Sequence, residues 1–169
     1  KEMIHYAHKR NVSIFVTVNT IIYEEEIQSL IEYTDYLVES NVDALIVQDS
    51  GMINYFIKRY PNTQIHASTQ MNAYTKSQIQ YLKNIGVARI ILARETSIED
   101  IKEFDDLNMD LEVFAHGALC VSYSGNCLLS ALKGNRSGNR GECAQPCRLQ
   151  YKLIKNNSAI TEKTYLLST

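Results

Sequence analysis

The feature that most limits how this chain can fold is a recurring short apolar run closed by a polar residue. Five such runs occupy residues 13–19, 43–49, 64–70, 89–95 and 112–116, and they finish in Asn19, Asp49, Gln70, Glu95 and His116. Runs of this length, rich in β-branched residues and nearly continuous in hydrophobicity, read as strands covered on both faces. Helical patterns separate them. Ile27, Leu30, Ile31, Thr34, Leu37 and Val38 share one face of a helix expected over about residues 23–40. Met52, Tyr55, Phe56 and Arg59 mark a shorter helix; Ile79, Leu82 and Ile85 mark a third, stopped by Gly86 just past its C-cap. Ser97 and Asp100 have the spacing of a capping box and open a fourth, through Phe104. His5 and His8 fall on a terminal helix and are expected at the surface. Strands separated by helices imply a parallel sheet with crossover connections.

Two architectures share that pattern, an open doubly wound sheet and a closed barrel. An open sheet needs polar strand ends only near its switch point. A barrel turns every strand end toward one shared mouth, and here all five ends are polar. Neither a Rossmann glycine fingerprint nor a P-loop is present. The expected fold is therefore α/β, a parallel TIM-type barrel. A complete one takes about 250 residues and this chain has 169. Five clear strands and a sixth expected at residues 165–168 fall short of eight. The barrel is expected to be incomplete, a single partial domain over residues 1–169 with an insertion-like cysteine-containing segment at 117–150. The chain opens on Lys1 rather than Met, so N-terminal strands are expected to precede it. The edge they leave would be covered by a second copy or a related subunit.

A net charge of −2 gives no whole-surface attraction to nucleic acid, so an RNA partner would have to meet a local basic patch. No apolar run approaches the roughly 20 residues of a membrane span, and no secretory signal is visible. A cytoplasmic protein without a membrane partner is expected.

Cys120, Cys127, Cys143 and Cys147 lie in one short stretch after a long cysteine-free region. Stapling disulfides are usually spread through a domain, so one cluster reads as one site. An iron–sulfur cluster, a zinc ion, disulfides and unrelated buried thiols all remain open on spacing alone. The spacing is C-x6-C-x15-C-x3-C; only the last pair fits a zinc knuckle, and thiolates suit zinc and iron–sulfur clusters alike. Between the cysteines, KGNRSGNRGE offers glycines for a tight wrap. Its Arg136 and Arg140, with Lys133 and Arg148 beside them, would either meet RNA phosphates or offset a cluster's negative charge.

Residues 112–148 closely resemble the signature of the collagenase-like peptidases, peptidase family U32. The resemblance is carried by His116, Cys120, Ser124-Gly125, Cys127, Ser130, the NRGEC of Asn139–Cys143 and Gln145-Pro146-Cys147-Arg148. Upstream it extends through Thr17–Thr20, Val47–Gly51, His66–Gln70 and Leu92–Glu95. It implies two further strands before Lys1. It also implies a four-iron, four-sulfur cluster on Cys120, Cys127, Cys143 and Cys147, since similar proteins act in RNA base hydroxylation or in ubiquinone hydroxylation. The first functional expectation is thus an iron–sulfur-dependent factor hydroxylating a base of tRNA or rRNA. A collagenase-like peptidase acting on a peptide, with or without a metal, is the alternative, although the sequence contains no HExxH or GxSxG. A non-catalytic module holding zinc is the third. In the mouth, His116, Glu95 and Asp49 are candidate catalytic groups. Asn19, His66, Gln70, Arg136 and Arg140 are candidate substrate-binding groups. Tyr123 is placed to shield a cluster or stack on a base.

Overall fold

The structure is a computed structural model and describes residues 1–165. Its main body alternates helix and strand: α1 (Glu2–His8), β1 (Phe15–Val18), α2 (Ile27–Glu39), β2 (Ala44–Val47), α3 (Ser50–Arg59), β3 (Gln64–Ala67), α4 (Lys76–Asn84), β4 (Arg89–Ile91), α5 (Ile98–Glu103) and β5 (Asp110–Glu112). The five strands form one sheet in the order β1-β2-β3-β4-β5, and every neighbouring pair is parallel. All C-terminal strand ends therefore emerge along one edge.

Side-chain alternation separates the two faces. Val18, Leu45, Val47, Ile65, Ala67, Ile90 and Leu92 enter one core, packed against Ile4, Leu37, Ile53, Phe56, Ile79, Leu82 and Phe104. Every helix from α1 to α5 thus contributes to the same side of the sheet. The opposite face carries Phe15, His66 and Arg89. Phe15 meets the His66 ring edge-on at 4.9 Å, and Arg89 pairs with Asp110 at 2.8 Å and Glu112 at 3.3 Å.

Local chemistry explains the helix ends. Asp49 caps α3 by accepting from the Met52 amide at 2.8 Å. Ser97 and Asp100 form the expected capping box, and Gly86 follows α4 at φ +100° as expected. Asparagine does the same work elsewhere: Asn11, Asn41, Asn108 and Asn135 take left-handed backbone after helical segments.

Several expectations need correction. The α/β class and the parallel sheet stand as expected; among the described residues β1 pairs only with β2 and β5 only with β4, so the sheet is open there and the barrel itself is not shown. The fifth strand is Asp110–Glu112 rather than 112–116. Its place is set by the Arg89 ion pairs to Asp110 and Glu112, while Val113 and Phe114 lie exposed. The sixth strand expected at 165–168 falls outside the described residues from 166 onward. A hairpin not foreseen, β6 (Ile154–Lys155) with β7 (Ser158–Ala159), turns on Asn156 and Asn157, both at positive φ. His8 is part-exposed, in keeping with a surface position, and its Nε2 lies 2.9 Å from Asp43 Oδ2.

Candidate functional site

The cysteine-bearing segment is held at the C-terminal edge of the sheet by two anchors. The first lies after β4. The Ser124 amide donates to Glu95 Oε1 at 2.9 Å, the Arg94 amide donates to Ser124 Oγ at 3.4 Å, and the Arg94 guanidinium donates to the Ser122 carbonyl at 3.0 Å. Ser124 is fully buried. Next to it Gly125, at φ +71°, sits against the Gln70 backbone so closely that a Cβ would fall 1.9 Å from the Gln70 carbonyl oxygen. Glycine is required there on two counts, backbone conformation and space.

The second anchor is Arg140, some distance along the segment. Its guanidinium donates to both carboxylate oxygens of Glu26, at 2.5 and 2.9 Å, and to the Ile21 carbonyl at 2.7 Å. It also lies over the Tyr23 ring, 4.2 Å from its centroid. The Asn139 carbonyl accepts from the Ile21 amide at 3.0 Å. The Arg140 hydrogen bonds, and then the Tyr23 amide, hold the Glu26 carboxyl at a pKa of about 2.

Between the anchors runs α6 (Leu129–Gly134), whose buried Ser130 accepts from the Ala144 amide at 2.9 Å. The Gln145 amide donates to Cys143 Sγ at 3.4 Å, and Arg148 donates to the Leu119 carbonyl at 2.8 Å. These contacts arrange Cys120, Cys127, Cys143 and Cys147, all free thiols, around one cavity of about 430 Å³. Arg94, Tyr123 and Gln70 complete much of its wall. Among the described residues no three His, Cys, Asp or Glu side chains converge tightly enough to hold a single metal ion. A tetrahedral zinc would draw its thiolates to within about 4 Å of one another.

A second cavity of about 330 Å³ adjoins the first, and Gln70 and Gly125 line both. Gln48, Asp49, Asn72 and Asn126 also face it. Gln48 Oε1 and Asn72 Oδ1 are buried without a hydrogen-bond partner.

The structure gathers some of the sequence-predicted residues and disperses others. Asp49 and Gln70 line the second cavity, and Asn19 stands near them, donating to Ser68 Oγ at 3.3 Å. Glu95 is committed to Ser124. His116 is exposed and lines neither cavity. His66 is buried on the sheet face away from the helices, 3.0 Å from Gln64 Oε1; burial and then the Arg89 charge push its pKa below the ordinary imidazole value. Arg140 is engaged with Glu26, so it anchors the segment instead of presenting a free cation. Arg136 is exposed and donates to the Glu142 carbonyl at 3.1 Å. Sequence reasoning missed Gln48, Asn72 and Arg94 as site residues. Two of them lie inside runs already singled out, VQDSG and LARE; the missing signal was which polar atoms the fold would bury.

Comparison with known proteins gives the chain's relatives. The chain is 38% identical over 169 residues to a 23S rRNA 5-hydroxycytidine synthase of Escherichia coli (strain K12), covering 99% of this chain and 25% of that protein. It is 38% identical over 159 residues to tRNA hydroxylation protein P of Helicobacter pylori (strain ATCC 700392 / 26695), covering 93% and 38%. A collagenase of Porphyromonas gingivalis (strain ATCC BAA-308 / W83) is 29% identical over 174 residues, covering 94% and 41%. The chain thus spans well under half the length of these relatives. The solved structure of the U32 peptidase Mk0906 superposes with a TM-score of 0.58 at 16% identity, over 66% of this chain and 49% of that one, a likeness of fold. The model of peptidase family U32 matches residues 1–169. The match runs over the whole chain, and the chain therefore belongs to peptidase family U32.

Proposed function

We propose that this chain is the cluster-bearing part of an RNA-base hydroxylation factor, with Cys120, Cys127, Cys143 and Cys147 as ligands of one four-iron, four-sulfur cluster. The observation that carries the reading is the single cavity lined by all four thiols. The donor set fits, because thiolates are soft ligands and the usual ones for iron–sulfur clusters. The space also fits: the cavity that all four thiols line is about 430 Å³, room for a polynuclear core. The Gln145 amide on Cys143 Sγ and the Arg94 guanidinium in the wall would offset thiolate negative charge. When bound, such a cluster would supply one-electron transfer. Inserting oxygen into a ring C–H bond removes two electrons from the base and requires an oxygen-atom donor from outside the chain.

RNA is the partner consistent with the hydroxylation names of the relatives, and a cytoplasmic location goes with it. Among the described residues no helix is long and apolar enough to cross a membrane. The sequential strand order and the one-sided helices support a barrel in the complete protein, since a doubly wound sheet reverses its order and carries helices on both faces. Peptidase activity has less support. Among the described residues the histidine side-chain bonds run to Asp43 and Gln64, where a cysteine peptidase needs imidazole against its nucleophile.

The test is anaerobic purification of the full-length protein, with iron and sulfide assayed, beside nucleoside mass spectrometry of RNA from cells with and without the gene. About four irons and four sulfides per chain, together with one hydroxylated nucleoside lost on deletion, are expected. Zinc alone with unchanged RNA would overturn the reading.

A further inference from the structure

Two residues that line the second cavity each bury a side-chain oxygen with no partner, Gln48 Oε1 and Asn72 Oδ1. An unsatisfied buried carbonyl oxygen carries a desolvation cost, and native proteins leave few of them. Both residues line one pocket of about 330 Å³, where Gln70 and Asn126 add two further carboxamides. A carboxamide presents a donor and an acceptor side by side in one plane, the pattern that pairs with the edge of a nucleobase. Four of them around an opening at the C-terminal edge of a parallel sheet form a surface suited to a flat, neutral, hydrogen-bonding ring. A phosphate is poorly matched, since Asp49 is the charged side chain in that wall.

From this geometry we infer that the carboxamide cavity is the seat of an unstacked pyrimidine base, read along its hydrogen-bonding edge by Gln48 and Asn72. The inference rests on the RNA-hydroxylation reading for the choice of a pyrimidine, and it adds to that reading the place and the residues of recognition. Position supports it. The cavity shares Gln70 and Gly125 with the cysteine cavity, so a base seated there lies one wall away from the thiols. Enzymes that act on a base extrude it from its stack into such a pocket. Of the two reading residues, Gln48 follows the last residue of β2 directly, and Asn72 closes the 3-10 turn Thr69–Met71. Both are thus fixed to the rigid sheet edge.

The experiment uses the full-length protein and two near-isosteric variants, Gln48→Glu and Asn72→Asp. Each replaces the amide donor with a carboxylate oxygen. Asn72 has left-handed backbone at φ 56°, which aspartate also tolerates, so the fold is expected to persist; circular dichroism and iron content are measured for each protein to check this. Equilibrium dialysis with cytidine, uridine, adenosine, guanosine and ribose is the binding measurement. Saturable binding of cytidine or uridine ahead of both purines, weakened about tenfold or more in each variant with iron content unchanged, is expected. No saturable binding at millimolar nucleoside, binding equal to that of ribose, a purine-first order, or variants that bind like the wild type would each overturn the inference. Hydroxylated nucleoside in cellular RNA is scored in parallel. If the wild-type gene leaves no such nucleoside, the proposed function fails while dialysis still decides the cavity.

Discussion

At the residue scale the cysteine segment depends on a few contacts that can be broken singly. Gly125→Ala places a methyl 1.9 Å from the Gln70 carbonyl oxygen and a side chain in left-handed backbone. Strain of about 1–2 kcal/mol for the conformation and about 1–3 kcal/mol for the overlap should detach this part of the segment. The expected outcome is loss of iron on reconstitution with the far-ultraviolet dichroism of the sheet and helices retained. Glu26 and Arg140 make a pH-dependent counterpart. The Glu26 pKa falls from an ordinary 4.5 to about 2 in the folded chain. Its contribution is thus fully present above pH 4.5 and is lost as pH falls from 4.5 through about 2. Protection of the Gly138–Arg140 turn from proteolysis should decline across that window, and Arg140→Gln should flatten the decline. Glu26 is accessible to solvent, so salt should weaken the effect.

At the scale of elements, capping chemistry was readable and ion-paired register was not. The Ser97–Asp100 box and the Gly86 stop stand in the structure as their spacing implies, because both are local devices. Ser97→Ala should cost about 1 kcal/mol of stability, measured by urea denaturation. The fifth strand was displaced for the opposite reason. The apolar Val113-Phe114 pair looks like strand interior, yet Arg89 reaches across from β4 to Asp110 and Glu112 and selects the residues before it. No local pattern announces such a pairing. The β6–β7 hairpin could have been found from its Asn156-Asn157 turn, since two residues at positive φ favour asparagine or glycine. Asn157→Gly should preserve that turn while Asn157→Val destabilises it, a contrast visible in amide exchange at Ile154–Lys155. In the site, the cysteines were legible as one group because they cluster in sequence. Gln48 and Asn72 were not, because their importance lies in which of their atoms the fold buries.

For the whole molecule, the division between a packed sheet face and one carrying Phe15, His66 and Arg89 sets where stability resides. Amides of β2 and β3, central in the sheet and backed by Ile53, Phe56 and Ile79, should exchange most slowly, and those of β5 at the edge fastest among the five strands. His66 adds a pH term. Its folded pKa lies below the ordinary 6.5, so the unfolded chain takes up a proton more readily. Stability should therefore fall as pH drops below 6.5, and His66→Gln should reduce that slope in denaturant titrations.

One contact carries a consequence for the assembled protein. Gln70 and Gly125 form a partition, with the thiols on one side and the carboxamides on the other, and the glycine leaves no slack against the Gln70 carbonyl. Two occupants that press on a common partition are thermodynamically linked: whatever factor one applies to the affinity of the other must be returned in equal measure. A molecule arranged in this way can register in one chamber whether the other is filled, with no hinge, lid or distant relay between them.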